Sequence, residues 1–89
     1  ESDSILALEV RQPLLEVVGA RAAVMAADDG VRAAAENRRV VNERFMAGLI
    51  SQTDALDAET SLLEAELERT RAIATVRLAE ARLDRAIGR

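Results

Sequence analysis

Cysteine, histidine, lysine, tryptophan and tyrosine are all absent from this 89-residue sequence, and Phe45 is its one aromatic residue. Without cysteine and histidine the chain has no disulfide, no catalytic thiol, no imidazole acid or base and none of the usual zinc ligands. Without lysine it has neither a Schiff-base nucleophile nor a phosphate-loop lysine. We therefore expect no enzyme active site, no metal site and no cofactor.

Charge and hydropathy argue against two further classes of protein, those that bind nucleic acid and those with a membrane-spanning helix. All 12 basic residues are Arg, and the 16 acidic residues outnumber them to give a net charge of -4, which argues against a nucleic-acid partner. No apolar stretch approaches the roughly 18 uninterrupted residues that a membrane helix needs. The hydrophobic content of 49% consists mainly of Ala, Leu, Val and Ile, and this composition favours close helix packing.

The ends of the sequence indicate a piece of a longer polypeptide. It begins at Glu1 instead of at a methionine, and its last helical turn runs almost to Arg89. A chain this short also buries too little surface to be strongly stable alone. We expect a fragment of a longer chain, in which a partner or the parent supplies the missing contacts.

One place combines a helix stop with a helix start. Gly48 can adopt the left-handed conformation that ends a helix, and Ser51 with Asp54 three residues later fits a capping box. The sequence therefore predicts helix one at about 4-46, a tip at 47-51 and helix two at about 52-88. At ~1.5 Å per residue, the second helix would be on the order of 55 Å long, as in a rod-like hairpin.

Proline complicates the first helix. Pro13 has no amide donor and crowds the preceding turn. We expect either a kink there or a helix that begins near Gln12.

Heptad periodicity is the most informative feature of the sequence. In helix two, alanine recurs every seven residues and a second set interleaves at the complementary coiled-coil spacing. Helix one repeats this pattern. The predicted seam comprises Val17, Ala20, Val24, Ala27, Val31, Ala34, Arg38, Val41 and Phe45 in helix one, and Ala58, Leu62, Ala65, Arg69, Ala72, Val76, Ala79, Leu83 and Ala86 in helix two. The fold class predicted is all-α, a long antiparallel two-helix coiled-coil hairpin.

Helix two carries a second apolar stripe, which a lone hairpin does not need. Its members are Leu56, Leu63, Leu67, Ala74, Leu78 and Ala81. One explanation is a wide core face in a three- or four-helix bundle. The other is a closed wall of helices, each packed on a neighbour to either side.

Three motifs resemble the TolC-type outer membrane efflux protein family. The run 34-51, with Ala35-Glu36-Asn37 leading to Arg44-Phe45-Met46-Ala47-Gly48, looks like the family's approach to its periplasmic tip. The segment 54-67, which begins Asp54-Ala55-Leu56-Asp57-Ala58, is similar to the family's following helix, and 82-88 is similar to the place where that helix ends. The resemblance covers the chain from about Val17 onward.

This resemblance implies a fold and a function that composition alone does not. In such proteins three chains form a twelve-strand barrel in the outer membrane and a long periplasmic helical duct, and each chain contributes two structural repeats. The chain would then be a duct segment, similar to the second repeat, in the periplasmic portion of a homotrimeric efflux or secretion channel. Its partners would be a periplasmic adaptor protein and an inner-membrane transporter.

The resemblance also implies two functional sites at the turn. The adaptor-docking tip would comprise Ala47, Gly48, Leu49 and Ile50. The carboxylates of Asp54 and Asp57 would face the lumen at the entrance constriction and favour cations. The structural alternatives are an ordinary C-cap at Gly48 and, for the two carboxylates, a simple complement to the positive end of helix two.

One departure from the family pattern and two charged seam positions qualify these implications. Some relatives have a basic residue near Ile50 that pairs with tip carboxylates, so a salt-bridge lock is not expected here. Arg38 and Arg69 interrupt the seam, and we expect them either to snorkel, with the charged end in solvent, or to pair with carboxylates, and not to bind a ligand. Because the second stripe has lost its neighbours, we expect the isolated fragment to form an antiparallel dimer, a four-helix bundle.

Three other readings remain open at this point. The nearest is the helical hairpin of the periplasmic adaptor itself, which is also an antiparallel coiled coil. The second is a generic structural coiled-coil module. The third is a helical enzyme of the chorismate mutase type, which is of similar size and Arg-rich but uses a lysine that this chain lacks.

Overall fold

The computed structural model describes residues 2-88, with side chains from Glu9 to Gly88. Helix α1 spans Ser2–Met46 and helix α2 spans Gln52–Ala86. The two helices pack against each other as a helical hairpin, and the described residues contain no strand, so the all-α prediction is confirmed. Neither helix is long and apolar enough to cross a membrane over its described length.

Helix α1 continues without interruption through Pro13. The alternative that the helix begins near Gln12 is therefore wrong. A proline removes only one amide donor and strains one preceding turn, so the turns on both sides of it keep their own hydrogen bonds. The helix can absorb this local loss because it is 45 residues long.

Hydrogen bonds at Gly48 end α1 in a Schellman motif. Gly48 has a φ of 74°, in the left-handed region, and its amide donates to the Phe45 carbonyl at 2.9 Å. The Leu49 amide donates to the Arg44 carbonyl at 2.9 Å, which is the second bond of the motif. On the other side of the turn, the Asp54 amide donates to Ser51 Oγ at 3.2 Å, as expected for an N-cap serine.

Six hydrophobic residues are buried in the described part of the chain, and all six belong to the predicted seam. They are Val17, Ala20, Ala58, Leu62, Ala72 and Ala79. No described polar or charged residue is buried with them. The heptad pattern therefore identified the core correctly, and four of the six core residues are alanines.

The chain divides into two compact units. The terminal unit joins α1 up to Met25 with the chain from Arg71 onward, and the turn unit comprises Ala26–Thr70. In the terminal unit, Val17, Ala20 and Ala79 form a buried cluster, against which Val76 and Leu83 pack.

Ion pairs on the surface of the terminal unit join its two helical segments. Arg21 donates to Glu80 at 2.8 Å, and an Arg82 nitrogen lies 3.7 Å from a Glu16 oxygen. Between these two pairs the residue number rises in α1, from 16 to 21, and falls in α2, from 82 to 80. The two segments are therefore antiparallel. These pairs are solvated and add little stability individually.

The turn unit has the same arrangement, but here the arginines come from the seam. Arg38 lies 3.5 Å from Glu59, and Arg69 forms an ion pair with Asp28. Of the two alternatives predicted for the seam arginines, pairing with carboxylates is the one observed for both. The buried hydrophobic residues of this unit are Ala58 and Leu62, which lie on either side of Glu59 in the sequence of α2.

Candidate functional site: the turn and the outer face of α2

The turn presents an apolar, accessible surface. Ala47 and Gly48 are exposed, Leu49 is 73% exposed, and Ile50 is half-buried. A Cβ built on Gly48 would meet no atom within 4 Å. A side chain at this position would therefore project into solvent, and its cost to the fold would be the strain of a positive φ and not a clash.

Met46 enlarges this surface and was missed by the sequence analysis. It is the last residue of α1 and is 83% exposed, the largest exposure of any described large hydrophobic side chain. The heptad pattern contains the signal that could have found it. The seam places Phe45 toward α2, so the next residue must point elsewhere.

The two predicted constriction residues both lie near the start of α2 and are both exposed. Asp54 lies in the first turn of the helix, where a negative charge is favoured by the helix dipole. Ser51 provides the cap through its hydroxyl oxygen. Neither Asp54 nor Asp57 forms an ion pair within the described residues, so both charges face solvent.

A line of exposed leucines follows the turn along α2. Leu56, Leu63 and Leu67 are 58%, 66% and 51% exposed. Each residue advances about 100° around a helix, so these three share one face. Ala58 and Leu62 are buried on the opposite face. Within the turn unit, α2 is therefore apolar on two opposite sides, of which α1 covers one.

A charged cluster on the surface of α1 accompanies the turn. Arg39 donates to Glu36 at 2.6 and 3.0 Å and to Glu43 at 2.7 Å. The hydrogen bond from Arg39, together with its positive charge, lowers the pKa of Glu36 below the ordinary value. The same two carboxylates raise the pKa of Arg39. Such a solvated cluster orders side chains on one helix face and offers no reactive group.

Metal chemistry has no support in the described residues, where no three His, Cys, Asp or Glu side chains converge on a common point. The geometry instead offers two kinds of contact surface. One is the apolar turn at Met46, Gly48 and Leu49, and the other is the leucine face of α2. Together they define a helical module in which part of the apolar surface is left uncovered by the packing of α1 on α2.

The comparisons identify the family of this module. The family model described as "Outer membrane efflux protein" matches residues 4–89. The chain therefore belongs to the outer membrane efflux protein family. A search of curated proteins and a search of solved structures each gave no match.

Membership in this family decides between the readings left open by the sequence. The family consists of outer-membrane efflux channels, which are transport components, are generally multimeric and work with adaptors and transporters. The chain is thus a component of the channel and is not the hairpin of an adaptor. The expected TolC-type resemblance is confirmed at the level of the family.

Proposed function

We propose that this chain is a periplasmic duct segment of a TolC-type homotrimeric efflux or secretion channel in a Gram-negative cell. It forms part of the wall of the duct, and its turn docks onto the periplasmic adaptor that links the channel to an inner-membrane transporter. Asp54 and Asp57 contribute to the entrance constriction. The observation that carries this proposal is the presence of two opposite apolar faces on α2 in the turn unit.

A duct wall explains these faces better than an isolated hairpin does. Each helix of a closed wall has a neighbour on both sides, so each needs two apolar faces. The face of α2 that contains Leu62 is covered by α1, and the face that contains Leu63 is uncovered in this chain. A neighbouring helix of the assembled channel supplies the missing cover.

Leu63→Asp tests the wall in the intact parent protein. We expect this change to lower the fraction of trimer recovered in mild detergent and to reduce efflux, because a carboxylate on the covered face loses its hydration on assembly. The matched control is Ser61→Asp, which adds the same charge at an exposed polar position two residues away. Normal trimer yield in both variants would refute a covered leucine face.

The docking role of the turn is supported by its accessibility. Leu49 and Met46 offer apolar contact area, and Gly48 allows the backbone of a partner to approach closely because nothing projects from it. The half-buried Ile50 contributes less surface than its neighbours. We therefore centre the adaptor contact on Met46, Gly48 and Leu49, with Ala47 beside them.

Asp57→Ala tests the constriction. We expect the cation preference of single-channel currents to fall, because a ring of three carboxylates is lost from the entrance, while adaptor binding persists. Asp57 is the sharper probe, since Asp54 also stabilises the first turn of α2. Glu59→Ala removes the same charge two residues away, at a side chain that pairs with Arg38, and serves as the control. Equal selectivity in wild type and in Asp57→Ala would rule out the constriction role.

A further inference from the structure

Two methionines carry all the sulfur of this chain, and both are accessible to solvent. Cysteine is absent, and the two sulfur atoms belong to Met25 and Met46. Met46 is 83% exposed and Met25 is 70% exposed. Oxidation of a methionine thioether to the sulfoxide turns a flexible apolar side chain into a polar one. Both residues are open to this reaction in the folded chain.

Only one of the two methionines lies at the turn. Met46 is the last residue of α1 and belongs, with Gly48 and Leu49, to the apolar turn. Met25 belongs to the terminal unit. The same oxidation should therefore have different consequences at the two positions, and Met25 serves as an internal control.

A free hydrogen-bond donor lies one helical turn before Met46. Asn42 is four residues earlier on α1, so the two side chains are neighbours on one face of the helix. Both line the same open groove, together with Arg39. The side chain of Asn42 forms no hydrogen bond within the described residues, whereas Arg39 already donates to two carboxylates. A thioether accepts hydrogen bonds only weakly, but a sulfoxide oxygen at this position has the amide of Asn42 as a donor.

We propose that Met46 is an oxidation site at which a peroxide, by forming the sulfoxide, weakens docking of the turn onto the periplasmic adaptor. This inference rests on the proposed function, because it takes the turn as the docking surface. In the reaction with hydrogen peroxide, sulfur is oxidised by two electrons and forms a bond to one peroxide oxygen. The O–O bond breaks, and the other oxygen leaves with both protons as water. Sulfoxide reductases reverse the change, so the effect on docking is reversible.

Desolvation explains why the sulfoxide weakens docking. Covering the thioether of Met46 with a partner removes apolar surface from water, which is favourable. Covering the sulfoxide instead removes hydrogen bonds to water, which costs free energy. A hydrogen bond from Asn42 also holds the oxidised side chain in the groove on α1, where it adds no apolar area to the turn. The hairpin itself is unaffected, because Met46 is exposed and lies outside the seam.

Mass spectrometry of the 89-residue chain tests the accessibility. Treatment with hydrogen peroxide should add one oxygen to Met46 at least as fast as to Met25. Circular dichroism of an oxidised Met25→Leu chain should show an unchanged helical signal, since only Met46 reacts in it. Slower oxidation of Met46 than of Met25, or loss of helix in the oxidised Met25→Leu chain, would contradict the proposal.

Adaptor binding by the intact parent protein tests the consequence. Peroxide treatment should weaken binding by the wild type at least severalfold, and a methionine sulfoxide reductase should restore it. Met46→Leu should keep its affinity through the treatment because leucine is apolar and has no sulfur, whereas Met25→Leu should lose affinity as the wild type does. Met46→Gln should bind weakly without any oxidant, since it places a polar group at the same position. Full affinity of the treated wild type, or an equal loss in treated Met46→Leu, would overturn the proposal.

Gly48→Trp separates failure of this inference from failure of the docking role. If Gly48→Trp abolishes adaptor binding while the oxidised wild type binds normally, only the oxidation site is refuted. If neither change affects binding, the turn is not the docking surface and both proposals are refuted.

Discussion

Gly48→Trp should abolish efflux by the intact channel while leaving the level of folded trimer close to normal. The indole would project from the turn, because no atom lies within 4 Å of a Cβ at this position. It would therefore obstruct the approach of the adaptor without displacing residues of the hairpin. The expected readouts are loss of drug resistance in cells and loss of adaptor co-purification, at unchanged trimer yield.

Gly48→Ala controls for the strain at this position. Any residue with a Cβ pays about 1 kcal/mol for a left-handed φ, so alanine and tryptophan share that cost. Only tryptophan adds bulk. We expect Gly48→Ala to retain most of the efflux activity, and Gly48→Asn to retain it too because asparagine tolerates this conformation. Full resistance with Gly48→Trp would show that the turn is an ordinary helix end.

Ala58→Asp should unfold the hairpin. Ala58 is 3% exposed, and its neighbourhood has no buried polar group to pair with a carboxylate. An unpaired buried charge costs several kcal/mol, which is on the order of half or more of the stability of a small domain. Circular dichroism should show most of the helical signal lost at room temperature.

The control for Ala58→Asp lies two residues away on the other face. Leu56 is 58% exposed, so Leu56→Asp places the same carboxylate in water. We expect the helical signal to survive this change, with self-association weakened. If both variants remained equally helical, the seam through Ala58 would not be the core of the turn unit.

The sequence predicted the core because its periodicity is strict. Alanine every seven residues leaves only one face on which α2 can pack closely, and the four buried residues of α2 lie there, while the two buried residues of α1 lie on its matching seam. The turn was equally well defined, since Gly48 and Ser51 each perform the local chemistry that their residue types favour. Such local signals are reliable because they depend on neighbours in the chain and not on distant contacts.

The partners of the seam arginines could not be derived from the sequence. That Arg38 and Arg69 would meet carboxylates was predictable, but which carboxylates depends on the register of the two helices. The choice between a helix that continues through Pro13 and one that begins near Gln12 could not be made from the sequence for a different reason. A local rule gives the cost of one lost hydrogen bond but not the cooperative stability of the helix on either side. The roles at the tip depend on a partner and are proposals for that reason.

The alanine-rich core has a thermodynamic consequence. Four of the six buried residues contribute only a methyl group, and no large side chain is fully buried among the described residues. Unfolding therefore exposes little new apolar surface, which is the main source of the heat-capacity increase. The stability of the hairpin should change only gently with temperature, and its thermal transition should be broad. In a duct wall, most of the sharpness of melting would then come from contacts between neighbouring hairpins, so the assembly would melt more cooperatively than any one of its arms.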